Sequence, residues 1–505
     1  MEQLSEQDIL QIKDKGISIN NIEHQINSFK NGFPFAKLMG AASPQNGILQ
    51  LNDQLVDSYS GFYIKDSEFL KIVKFVPASG AASRMFKHLF EFREALNITS
   101  YQTLRTRKEH NKAIEFFNNI NNFAFSEELN SLVNINNYSS LTEYTKDALD
   151  MLLTAKGMNY AELPKALLKF HIYTKSSRKA IEEHFAEAVE YANNSSIANL
   201  HFTVSPDHLP LFKAELEELI PVYEYIHNVK FNIEFSTQKP STDTIAVNSN
   251  NEVFRDNEGK LVFRPGGHGA LIENLNEIDA DIVFIKNIDN VAIEDKNDLT
   301  ILYKKALGSL AIKFQNLIFE NITKIDDGAE LNDAISFIEK ALGLEITDNF
   351  ENYSEIEKAQ YIKNILNRPL RICGVVPNDG EPGGGPFWVN KDGKMSLQIV
   401  ESAEIDLNNE QQRRIMKAST YFNPVDLVCC IKDYKGNKFN LKDFIDPQSA
   451  FISEKSKDGR TLKAMELPGL WNGAMAHWNT IFVDVPIETF NPVKTVNDLL
   501  REMHK

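Results

Sequence analysis

The chain has 505 residues, 42% hydrophobic and 25% charged, the balance of an ordinary globular protein with material for a large core and for two to four domains or one elaborated one. A net charge of −16 excludes a general binder of nucleic acid or anionic membranes, and three cysteines, two of them adjacent, exclude a disulfide scaffold or a zinc-type spacing. With no basic-then-apolar leader and no apolar run near the ~18 residues of a membrane span, the sequence reads as cytoplasmic.

Residues 1–66 read as a mainly helical segment. Ile9 and Ile12, then Ile19, Ile22 and Ile26, fall at helical spacing, and Gly16 separates two short helices. Pro34, Gly40, Pro44 and Gly47 make 33–56 irregular. Val73 to Val76 is an apolar strand. The small residues Ser79, Gly80, Ala81, Ala82 and Ser83 follow, and a helix is expected to start near Ser83 as N-cap, with Arg84 next. Such a turn presents free N–H groups to an anion, most simply a phosphate chain; the plain alternative is a strand-to-helix turn with small residues for packing. Residues 100–157 carry helical spacing without strands and read as a helical insertion. Alternation then resumes. Asn199 to Val204, Val229 to Phe235 and Asp281 to Ile288 are strands, and Asp207 to Ile220 and Gly266 to Leu275 are helices. Residues 300–367 are helical again, and strands with glycine-rich loops dominate from Leu370. This order predicts a mixed, mostly parallel α/β sheet.

Four later stretches carry chemistry. Pro164-Lys165 fixes the backbone ahead of a buried run, where a lysine can set a compact charge on a phosphate, although most lysines are surface groups. Pro265-Gly266-Gly267-His268-Gly269 is a second backbone-donor surface, or else a helix-start turn with a structural histidine. The strand ending in Asn287-Ile288-Asp289-Asn290 puts a carboxylate at its C-terminal end, where open α/β sheets bind ligands and Mg²⁺ finds a ligand beside phosphates; an Asx turn is the alternative. Phe490-Asn491-Pro492-Val493-Lys494 offers a second lysine ahead of a capped turn, or a surface lysine near the C-terminus.

Taken in order, these stretches resemble the UDP-sugar pyrophosphorylases, the UDP-glucose and UDP-N-acetylhexosamine enzymes among the nucleotidyltransferases. Ser79 to Met85 resembles their glycine-rich signature, and Pro164-Lys165 their lysine motif. Pro265 to Gly269 and Asn287 to Asn290 resemble two further stretches, Val400 to Ile405 the hexosamine branch's Val-Glu strand, and Phe490 to Leu499 the last lysine segment. The resemblance runs from about 70 to 500 as islands. It implies a glycosyltransferase-A-like fold in which 67–405 is the nucleotidyltransferase-like domain, with 100–157 inserted, and 406–505 completes the sugar-phosphate side. Two departures stand out. Ser79 and Ala82 replace glycines of the signature, and 81 positions separate Arg84 from Lys165, with Lys87 a lower-ranked substitute. The chain looks like a divergent bacterial branch of the group.

The resemblance implies transfer of a uridylyl group from UTP to a sugar-1-phosphate with Mg²⁺, releasing pyrophosphate. Arg84, Lys165 and Lys494 would be the catalytic cations. Ser79 to Ser83, Gln238, Gly267 and His268 would bind the nucleotide, Glu401 and Asn423 the sugar, and Asp289 the metal. The alternative from another class is a non-catalytic nucleotide or nucleotide-sugar binder of the same fold, which Ala82 favours. A third reading, a glycosyltransferase using Asp279-Ala280-Asp281, meets the difficulty that this pair precedes its strand.

Overall fold

The computed structural model describes residues 4–505 apart from 195, 348, 379, 381, 382 and 458. The protein is of the mixed α/β class, with a largely parallel central sheet and small antiparallel sheets beside it. Two compact units are present, the first from residues 1–72, 237–285 and 305–487, the second from 73–236, 286–304 and 488–505.

In the first unit, helices Glu6–Asp14 and Ile19–Asn31 form as their isoleucine spacing predicts. Ile12, Ile17, Ile22 and Phe29 bury against Ile245, Val247 and Met465. Ser5 caps the first helix and Asp8 closes the box. The Arg255 fork grips both Asp8 oxygens, at 2.7 and 2.8 Å, and holds that carboxyl well below its usual range.

The segment 33–56 departs from the irregular reading. It contributes strands Leu38–Ala41 and Ile48–Leu49. They pair with Gly385–Lys391 and Asn479–Asp484, partners so distant in sequence that no local pattern announces them. Within this unit the strands run in the order Ile48–Leu49, Asn479–Asp484, Leu370–Pro377, Tyr421–Cys430, Ile282–Lys286. The first two pairings are parallel and the third antiparallel. Helices Asp298–Asp326, Asn332–Ala341 and Glu355–Leu366 account for the helical spacing of 300–367.

In the second unit, strand Ile72–Pro77 pairs in parallel with Ile197–Val204, which also receives Lys230–Thr237. Helix Ala180–Tyr191 buries much of its surface in this unit, and Leu209–His227 follows the second strand. Residues 100–157 hold helices Tyr101–Leu104, Asn111–Asn118, Ser126–Leu132 and Leu141–Leu153, as expected from their spacing. Their core is aromatic: Phe92, Phe116, Phe123 and Phe125 are fully buried, and the last two stack at 5.1 Å. Among the described residues no helix is long and apolar enough to cross a membrane.

Candidate active site

The small-residue loop follows strand Ile72–Pro77 in the second unit, but its helix starts differently from expectation. Ala81, not Ser83, occupies the cap position, without a side-chain cap bond. A 3₁₀ turn, Ala82–Phe86, leads into helix Lys87–Leu96. The cause lies across the insertion. Ala81 bridges to Pro164, and the Ala82 N–H donates to the Leu163 carbonyl at 3.0 Å. The backbone therefore stays extended through Ala81. Ala82 is fully buried, in one apolar cluster with Met85, Phe86 and Leu89, whereas Gly80, Ala81, Ser83 and Arg84 are exposed. Ala82 therefore packs into the core as an apolar residue, where glycine would bury no side chain. The same bridge returns the chain to the loop despite the 81 positions between Arg84 and Lys165. Lys87 is exposed and faces Glu91 at 3.7 Å.

Three sequence islands converge on one carboxylate. Lys165 donates to Asp289 Oδ2 at 2.8 Å and to the Val493 carbonyl at 2.7 Å. Lys494 reaches Asp289 Oδ2 at 3.1 Å and Oδ1 at 3.3 Å. The backbone fixes this meeting. Val493 N–H donates to the Asp289 carbonyl, Asn290 bridges to Pro492, and Asn491 N–H donates to Asn290 Oδ1. Asp289 and Lys165 side chains are 10% and 15% exposed, Lys494 53%. Burial opposes ionisation of Asp289, but Lys165 and Lys494 together hold its carboxyl below the usual range. Two ammoniums on one carboxylate leave a net positive charge, and Lys494 is the arm free to turn toward an incoming anion.

The first unit places His268, Glu401 and Asn423 near a shelf the sequence did not reveal. His268 stacks on Trp471 with ring centres 4.2 Å apart and planes at 15°. Gly469 makes this possible, because a Cβ there would lie 2.4 Å from His268 Cε1. His268 Nδ1 accepts from Leu470 N–H at 3.0 Å, which puts the neutral ring's proton on Nε2, facing Glu401 Oε1 at 3.4 Å. Gly267 sits at φ +75°, turning the backbone into the 3₁₀ segment that carries His268. Gly384 lies against both sugar candidates. Its carbonyl accepts from Asn423 N–H, and a Cβ on it would sit 3.4 Å from Glu401 Cγ. Asn423 Oδ1 accepts from Val425 N–H, steadying a β-branched residue at φ +62°, while Asn423 Nδ2 is buried without a partner among the described residues. Trp471 stands in Pro468-Gly469-Leu470-Trp471-Asn472-Gly473, whose two glycines beside a rare tryptophan were the available signal.

Glu404 completes the shelf. Its Oε2 accepts from Glu401 N–H at 2.8 Å and from Asn472 Nδ2 at 2.9 Å. Burial pushes its carboxyl up to about 7, while Glu401, despite burial, is held down by His268. Between the ordinary glutamate value of about 4.3 and 7, native Glu404 keeps a proton that the unfolded chain has lost. Its contribution to stability therefore falls as pH rises through that window. The substitution Glu404→Gln should flatten this decline, read as denaturation midpoints at pH 5 and 7.5; an unchanged slope would refute the assignment.

Other candidates are placed apart. Gln238 lies between strand Lys230–Thr237 and the turn Pro240–Thr242, its Nε2 buried and unpartnered among the described residues. Asp279 and Asp281 stand before strand Ile282–Lys286, both paired with Lys432, and Asp281 also accepts from Lys71 N–H. Among the described residues no three His, Cys, Asp or Glu side chains group as a metal cage. Asp289 is thus a lone carboxylate whose oxygens both face lysines.

A family model described as Domain of unknown function (DUF4301) matches residues 5–505. No curated protein matches the sequence. The structure is similar to solved UDP-sugar pyrophosphorylases. A mutant UDP-glucose pyrophosphorylase from Leishmania major has 12% identity and a TM-score of 0.45, covering 99% of this chain and 80% of that one. The uridine diphosphate N-acetylglucosamine pyrophosphorylase from Trypanosoma brucei, in complex with inhibitor, has 11% identity and a TM-score of 0.48 at the same coverages. The UDP-glucose phosphorylase from Trypanosoma brucei has 12% identity and a TM-score of 0.44, covering 97% and 77%.

Proposed function

The chain belongs to the family described as Domain of unknown function (DUF4301), and for it we propose transfer of a uridylyl group from UTP to a sugar-1-phosphate with release of pyrophosphate. The observation that carries this reading is the convergence of Lys165 and Lys494 on Asp289. Three segments far apart in sequence build one cationic point at the end of a strand, beside a backbone made of small residues. A packing role alone does not call for two lysines on one carboxylate, one of them half exposed.

The chemistry needs little else. An oxygen of the sugar phosphate bonds to the α-phosphorus while the bond from that phosphorus to the pyrophosphate oxygen breaks. The nucleophile is already ionised, so no base has to take a proton. Catalysis then rests on in-line positioning and charge neutralisation. In this reading the exposed Gly80, Ala81, Ser83 and Arg84 take the β- and γ-phosphates, without Ala82, whose N–H is given to Leu163, while Lys165 takes the α-phosphate and Lys494 the sugar phosphate. The resemblance further assigns Gln238, Gly267 and His268 to the base and Glu401 and Asn423 to sugar hydroxyls. Asp289 offers Mg²⁺ one carboxylate, which suits an ion that takes one or two carboxylates and completes its shell with phosphate oxygens. Asp289 would hold such an ion, which would supply charge neutralisation on those oxygens, and Lys494, the half-exposed lysine, would be the one to give Asp289 up.

The test is a pyrophosphate-release screen of nucleoside triphosphates against sugar-1-phosphates with magnesium. UTP should turn over with at least one sugar phosphate. Tight UTP binding without release across the panel would favour the non-catalytic binder, and absence of both would remove the nucleotide reading.

A further inference from the structure

The first unit also holds an open cavity of about 1050 Å³ that none of the candidate site residues lines. Phe33, Leu342, Tyr361, Ile365, Leu397 and Trp478 give it apolar walls. Charged groups stand among them, and most are spoken for. Lys391 pairs with Asp446 at 2.5 Å, Lys394 lies 5.6 Å over the Tyr361 ring, and Glu345 accepts from Met395 N–H. Three lining cations, Lys37, Lys394 and Arg368, have no carboxylate within ion-pair distance among the described residues, and of these Arg368 is the half-buried one, its Nε donating to the Asn364 carbonyl at 3.1 Å. Burial disfavours its charge. His477, also on the wall, is held below the usual imidazole range by burial first and then by Lys391 and Arg368, against the pull of Asp446.

We propose that this cavity binds a small molecule with an apolar body and one anionic head, carboxylate or phosphate, seated on the Arg368 guanidinium. A half-buried guanidinium with one carbonyl partner and no counter-charge gains from an anion brought in by a ligand. The planar fork of arginine matches a carboxylate or a phosphate in two parallel hydrogen bonds. The volume is at the upper end for small-molecule sites, whose apolar walls carry a few placed polar groups. Two lining residues join the cavity to the His268 shelf. Asn472 and Glu404 are hydrogen-bonded to each other, and Glu404 also accepts from Glu401 N–H. An occupant therefore sits one hydrogen bond from Glu401.

Calorimetric titration of the full chain with decanoate, decyl phosphate and decanol tests this. One anion at least should bind saturably at one site per chain, with decanol, which has the same tail and no charge, at least tenfold weaker. Arg368→Gln should weaken the anions at least tenfold and leave decanol unchanged. The two anionic arms tell which head is preferred. No saturable anion binding, many weak sites, or decanol equal to the anions would overturn the proposal, and these three need no variant. Unaltered anion binding by a folded R368Q would overturn it as well.

Discussion

Lys165→Ala is expected to lower pyrophosphate release from UTP by roughly 10²- to 10³-fold, the loss seen when one preorganised donor to developing charge is removed, or about 3–4 kcal/mol. The side chain is 15% exposed and held by two acceptors, the Asp289 carboxylate and the Val493 carbonyl, so it is placed before any substrate arrives. Its removal also changes the sign of the balance. Lys165, Lys494 and Asp289 together carry one net positive charge; without Lys165 the point is neutral, and Asp289 repels phosphate. Nucleotide affinity should therefore fall along with turnover.

The double variant Lys165→Ala with Asp289→Asn separates the two effects. With binding measured in the absence of magnesium, it restores the single positive charge, so UTP affinity should recover, while turnover with magnesium stays low because both the lysine and the carboxylate proposed for the ion are gone. Lys165→Arg should not rescue, because a planar fork cannot follow the geometry of a point charge bonded to a carboxylate and a carbonyl. Full turnover in Lys165→Ala would sink the scheme, and recovery of turnover in the double variant would show that charge alone was needed.

The three members of this point were each readable as candidates, since proline-lysine pairs and a strand-ending aspartate are local signals. Their meeting was not. It depends on the bridges Ala81 to Pro164 and Asn290 to Pro492, which join segments that no periodicity connects. The Ser83 cap failed for the same reason. The Ala82 N–H goes to Leu163, a partner that lies beyond the aromatic helices of residues 100–157. Helices in 1–31 and 300–367 were legible because their apolar spacing repeats over several turns. The strands at 38–41 and 48–49 were not, being too short to show alternation. The least legible feature is the buried charge cluster of the second unit, where Lys74 reads as a polar interruption of a strand and its partner lies 113 positions away.

That cluster carries the largest stability effect we expect. Glu187 on helix Ala180–Tyr191 is fully buried and accepts from Lys74 Nζ at 2.8 Å, Lys286 Nζ at 2.6 Å, Tyr191 OH at 2.7 Å and Asn297 Nδ2 at 3.3 Å. Burial opposes its charge, but Lys286 and Lys74 keep it ionised. One carboxylate cannot serve every lysine. Burial, with Lys286 and Lys304 nearby, pushes Lys74 down to about 7 against the pull of Glu187. Glu187→Ala would leave two buried ammoniums unpaired, and should cost about 3–5 kcal/mol. The sign of its pH dependence follows. A lysine whose native value lies below its unfolded one binds fewer protons when folded, so stability rises with pH between about 7 and the unfolded value near 10.4. Lys74→Met should therefore flatten this rise of stability between pH 7 and pH 9.5, read in guanidinium unfolding. If the cost is the stranded charge and not the lost packing, replacing the group with apolar residues of similar size, Lys74→Met, Glu187→Leu and Lys286→Met together, should recover most of the loss. A triple variant as unstable as Glu187→Ala would mean that the cluster is held for its hydrogen-bonded shape. The strand that ends in Lys286 would then owe the placement of Asp289, three residues on, to this carboxylate.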